Sequence, residues 1–206
     1  MKAELVKAIS SISPDADELA YLALTSKPEA QIRDRLAYRL HQQLADRDLL
    51  VAREWKRTDL AVLGPDGAPV ALVEAKALLS ADLLYDIRVE NWRKKVRADI
   101  GKARGCAERF DAPKAEIYAL VIATHVLTEV RSAQREFVKY GVRLATVTPW
   151  KEAKHRLRGF LPEGAPPHEQ SFGRGEAFDI GVEVTTWLFG PVQPVPEPVR
   201  PLAPNS

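Results

Sequence analysis

A chain of 206 residues with 46% hydrophobic side chains can bury a sizeable core in one domain of ordinary size. A formal net charge of +2 makes any nucleic-acid surface a local patch rather than a global property, and a lone cysteine, Cys106, excludes a disulfide framework or a cysteine-rich zinc site. The longest apolar run, 117–124, is too short to span a bilayer, and no leader-like pattern opens the chain, so a soluble cytoplasmic protein with no membrane partner is expected.

Two helices are expected first, over 1–12 and 15–26, with Ser13 suited to cap the second and Pro14 to open it. They carry no evident chemistry and either pad the core or cap it. A third helix over 27–46 sets Ile32, Leu36, Leu40 and Leu44 in one apolar stripe. At about 100° per residue, Glu29 falls along the centre of that stripe and Asp34 well off it. A strand over 49–55 follows, in which Glu54 is either a further site acid or the partner of a base such as Arg57.

The runs 58–63 and 70–76 flank Gly64-Pro65-Asp66-Gly67 and read as an antiparallel hairpin. Alternation points Glu74 and Lys76 to one face and Val73 and Ala75 to the other. Three charged groups at the ends of apolar strands are costly without partners or work to do. Register decides whether Asp59 joins them. Pairing Leu63 with Val70 places Asp59 opposite Glu74, and an odd connection turns it away. An even connection or a compensating bulge is therefore expected.

From 81 to 109 the chain reads as a basic helix, interrupted near Glu90-Asn91. Its Arg93, Lys94 and Arg97 either track phosphates or form a solvated face; Asp99 and Lys102 have the spacing of an intrahelical pair. Residues 117–123 suit a strand buried on both faces, ending at His125, which is expected to be structural. An amphipathic helix over 130–140 and a strand over 141–147 then predict a parallel pair with a right-handed crossover. Lys151, Lys154 and Arg156, beside Trp150, suit backbone contact with nucleic acid or a short solvated helix. A loop over 161–175 and an additional edge strand over 178–189 precede a proline-rich tail, 191–206, expected to be disordered and either passive or a docking segment.

Asp59, a hairpin-length gap, and Glu74-Ala75-Lys76 resemble the signature of the PD-(D/E)XK nucleases, the restriction-endonuclease-like superfamily, with Thr58 rather than Pro before the aspartate. The stretch 29–77 is similar to small members of that superfamily and to the N-terminal nuclease domain of type I restriction R subunits. The resemblance implies an α/β fold: a three-layer core with a central mixed sheet flanked by helices over 27–190, preceded by extra N-terminal helices over 1–26. The expected order of helix, three-stranded meander, helix, strand, helix, strand agrees with it.

The activity implied is metal-dependent hydrolysis of phosphodiester bonds, in DNA above other nucleic acids. Asp59 and Glu74 can chelate Mg²⁺ or Mn²⁺. The resemblance adds the Ala75 carbonyl to that ligand set, and lets Glu29 reach the metal directly or through water. Glu29 is otherwise a solvated acid favoured by the helix dipole. Lys76 is suited to orient the attacking water or offset charge in the transition state, and acts as base only if its surroundings depress its pKa. No Walker loop, Ser-His-Asp arrangement or dinucleotide fingerprint competes. The alternatives are a non-catalytic module of nuclease fold that binds nucleic acid or protein, and an interaction protein whose hairpin charges form a structural ion-pair cluster. A homodimer or a partner protein is compatible with each.

Overall fold

The computed structural model describes residues 1–144, 147–161 and 165–192. Three helices come first: α1 (Lys2–Ser10), α2 (Ala16–Thr25) and α3 (Glu29–Leu44). A meander of β1 (Leu50–Trp55), β2 (Thr58–Leu63) and β3 (Pro69–Leu79) leads into the long helix α4 (Asp86–Arg109) and strand β4 (Glu116–Val126). Helix α5 (Trp150–Arg158) and the hairpin of β5 (His168–Ala177) and β6 (Ile180–Phe189) follow. The strands form one mixed sheet in the order β1-β2-β3-β4-β6-β5, parallel between β3 and β4 and antiparallel at every other junction.

Helices cover both faces. Leu60, Val62, Val73, Ala75 and Leu120 pack beneath Leu5, Leu24, Ile32 and Leu36 of the N-terminal helices, so α1 and α2 share the core of α3. Ala61, Leu72, Ala119 and Val121 face Val96, Ile100 and Ala103 of α4 and Leu157 of α5. Burial from both sides is why β3 and β4 are almost uninterrupted apolar runs. Among the described residues no helix is long and apolar enough to cross a membrane.

Several expected elements differ. Helix α2 is capped by Asp15, not Ser13: its carboxylate accepts from the N–H groups of Asp17 and Glu18 at 3.0 and 2.8 Å. Helix α4 runs unbroken through Glu90-Asn91, where no proline or glycine interrupts it. The expected helix over 130–140 is a single 3-10 turn, Ser132–Glu136, and 141–144 are turns rather than strand, with Val142 exposed. The free edge of β4 is instead taken by β6, so β6 is an interior strand and not an edge. The parallel pair is therefore β3 with β4, connected by α4. The loop expected over 161–175 contains most of β5, a polar edge strand with a bulge between Ser171 and Arg174. Of the proline-rich tail, 193–206 lies outside the described residues.

Candidate active site

The connection between β2 and β3 holds an odd five residues, Gly64 to Ala68, and Leu63 pairs with Pro69. A register shift between Val62 and Leu63 compensates, restoring Val62 to Ala71 and Leu60 to Val73. Continued by one step, that register sets Asp59 opposite Glu74 on the α4 face of the sheet, and the two side chains share a hydrogen bond.

Here β2 and β3 part. The last paired residues are Leu60 and Val73, which leaves N–H groups on β3 without a strand partner. Two carboxylates take their place: Ala75 N–H donates to Asp59 Oδ2 at 2.8 Å, and Ala77 N–H to Glu29 Oε2 at 2.8 Å. A strand residue sends its N–H and C=O out of the same edge, so the Ala75 carbonyl also opens toward the gap. Glu29 thus reaches the edge of β3 from the opposite helical layer, as its place on the buried stripe of α3 requires.

Glu74 is 9% exposed. Burial, then the charge and hydrogen bond of Asp59, then the charge of Asp99, push its carboxyl up to about 8, with Lys76 opposing. Two carboxylates held this close share a proton unless a cation replaces it. Burial alone would depress the pKa of Lys76, but its 2.7 Å bond to Asp99 and the charges of Asp99, Glu29 and Asp59 outweigh that and hold its ammonium above the ordinary value. Lys76 is therefore held as a cation. Asp99 in turn is depressed: burial acts against this, but hydrogen bonds from Lys76 and from Lys102, the latter at 2.9 Å, prevail.

Asp99 is the residue that sequence reading undervalued. It has the i, i+3 relation to Lys102, but it also borders the Val96, Ile100, Ala103 stripe that faces β3. Arg33 was also missed. One turn after Glu29, it lies 3.5 Å from Asp59 and 3.1 Å from Glu54, and binds Asp34 at 3.0 Å. Glu54 is thus paired, but with Arg33 rather than Arg57.

The basic residues fare unevenly. Arg93 donates to the carbonyls of Phe160 and Gly159, tying α4 to the end of α5. Lys154 bridges Glu169 and Glu183, and Arg156 binds Asp86 and Glu152. These three brace the fold, whereas Lys94, Arg97 and Lys151 are exposed. His125 is structural: its Nδ1 meets Ser80 Oγ at 3.0 Å, and its ring stacks on Trp150. Burial lowers its pKa to about 4, helped by Lys154 and Arg174 against the pull of Glu183, so it carries no charge at neutral pH.

Among the described residues, no three His, Cys, Asp or Glu side chains form a ready ligand cage. What the gap offers is two carboxylates from neighbouring strands and one carbonyl. That sparse oxygen set fits Mg²⁺, which keeps several waters and takes only one or two carboxylates. Comparison with family models, curated proteins and solved structures returns no match for this chain.

Proposed function

We propose that this chain is a metal-dependent phosphodiesterase acting on nucleic acid, most directly DNA, with the restriction-endonuclease-like architecture that its Asp–Glu-Ala-Lys spacing implies. The observation that carries this reading is the meeting of Asp59 and Glu74 at the parting of two strands, close enough to share a proton, with a cationic Lys76 on the same face. The mixed sheet with its antiparallel meander and covered faces is compatible with that architecture.

Asp59, Glu74 and the Ala75 carbonyl would hold Mg²⁺ or Mn²⁺, which supplies charge neutralisation at the phosphate and a more acidic water. The chain does the rest. Lys76, kept protonated by Asp99, offsets the negative charge that grows on the phosphoryl oxygens. Asp99 fixes that ammonium in place, so no reorganisation is needed as charge develops. Glu29 holds the parted edge of β3 through Ala77, which sets the direction of the Ala75 carbonyl. Arg33 orients Asp59 from behind.

Labelled duplex, single-stranded and RNA substrates incubated with Mg²⁺ or Mn²⁺ test this. Cleavage is expected with the native chain. It should fall by at least about a hundredfold in Asp59→Asn and in Lys76→Ala, while both variants keep the native circular dichroism spectrum. Cleavage retained in both, or no cleavage of any substrate, overturns the reading.

A further inference from the structure

Next to the acid pair lies an open cleft of about 630 Å³, lined by Lys56, Arg57, Glu74, Lys102, Arg109 and Phe110. Its cations come from two places: the turn between β1 and β2, and the C-terminal half of α4. Arg35, Arg47, Arg131, Lys154, Arg156 and Arg158 each hold an acid. Among the described residues, Lys56, Arg57 and Arg109 form no ion pair; Lys56 lies over the Phe110 ring, 5.9 Å from its centroid. Lys102 is the exception in the cleft, holding Asp99 at 2.9 Å; the charge of the other three is unspent inside the molecule.

The turn itself is unusual. Trp55 pairs with Thr58, so Lys56 and Arg57 are the two central residues of a two-residue hairpin turn, at φ 50° and 70°. Such turns prefer Asn-Gly because both positions need the left-handed region. Lys-Arg there is strained, and retained strain of this kind points toward a ligand that uses the side chains. Phe110, at the end of α4, is braced by Trp55 with ring centroids 4.7 Å apart and is 38% exposed.

We propose that the cleft is the groove along which a single-stranded polynucleotide approaches the acid pair, Lys56, Arg57 and Arg109 taking successive phosphates and Phe110 stacking on an unpaired base. A basic groove beside an exposed aromatic ring is what sequence-tolerant binding of single strands uses, and a duplex hides the base faces such a ring needs. The role of Glu74 at the end of the groove rests on the phosphodiesterase reading; the binding does not. DNA and RNA share the chemistry the groove recognises.

Fluorescence anisotropy with labelled single-stranded DNA, single-stranded RNA and blunt duplex DNA of equal length, in EDTA, tests the groove without cleavage. The double variant Lys56→Asn/Arg57→Gly should melt at a higher temperature than the native chain, because the turn is relaxed. It should bind single strands at least about tenfold more weakly at 0.1 M salt, with a salt slope flatter by about 1.4. Arg109→Gln/Phe110→Ala should weaken binding as well, and Lys2→Gln/Lys7→Gln on α1 should not. An unchanged slope in both cleft variants, a duplex held as tightly as a single strand, or no binding by the native chain overturns the groove. Mg²⁺-dependent cleavage is scored separately. A chain that binds through the turn and cuts nothing keeps the groove and overturns the hydrolase.

Discussion

Glu74 concentrates the electrostatics of the site in one proton. Its carboxyl is raised from the ordinary carboxylate value to about 8, chiefly by burial, then by Asp59 and Asp99. A raised carboxyl favours the neutral form in the fold. Its contribution to stability is full below about 4.5 and is lost as pH rises through about 8. In the absence of divalent ions the melting temperature should therefore decline between those limits. Glu74→Gln, which keeps the shape and cannot ionise, should flatten the decline and be the more stable protein at pH 8. An equal decline in Glu74→Gln would show that the proton lies elsewhere. The same residue explains why Lys76 leans on Asp99: a neutral Glu74 cannot neutralise an ammonium, and the partly buried acid of α4 can.

Among the elements, the docking of α2 on β5 depends on a missing side chain. Gly175 approaches the backbone of α2 so closely that a Cβ would fall 1.9 Å from the carbonyl oxygen of Ala16 and 2.8 Å from the nitrogen of Asp17. One residue on, Glu176 N–H donates to Asp17 Oδ1 at 2.8 Å. Backbone cannot yield as a flexible side chain does, so Gly175→Ala should cost roughly 3 kcal/mol, read as a lower urea midpoint. The proposed cleavage should be unaffected at temperatures where the variant is folded, because β5 lies four strands from β2 in the sheet. A variant as stable as the native chain would contradict this packing. A second tie joins other parts of the chain: Asp82, 1% exposed, gathers Trp92 and Arg88 of the α4 helix together with Arg143 from the turns at 141–144.

For the whole molecule, the proposed metal site would couple ion binding to global stability. Asp59 and Glu74 sit on separate strands, and the gap between those strands exists only in the folded sheet. An ion bound there would stabilise the fold by about 2.7 kcal/mol at a hundredfold excess over its dissociation constant. In a chain of this size that is a rise of about 5–10 °C in melting temperature. Mg²⁺ titrated against thermal unfolding should show it at pH 8, and Asp59→Asn should abolish most of it. No shift with either Mg²⁺ or Mn²⁺ would favour a purely structural ion-pair cluster.

By itself the sequence determined the parts governed by local periodicity. Helical spacing placed Glu29 on the buried face of α3, two-residue alternation put Glu74 and Lys76 together, and the even-or-bulged condition on the hairpin anticipated the shift between Val62 and Leu63. It failed where local pattern and tertiary competition part company. The segment 141–147 has a strand composition, but its first four residues are turns, and the edge of β4 is occupied by β6, whose apolar run forms the longer ladder; 145–146 lie outside the described residues. β5 was hidden because a polar, glycine-bearing edge strand needs little hydrophobic signal when α2 covers it. The partners of Lys76 and Asp59 could not be read either. Asp99 and Arg33 lie 23 and 26 residues away from them in the chain, and only the packing of α4 and α3 on opposite faces of one sheet brings those charges within reach.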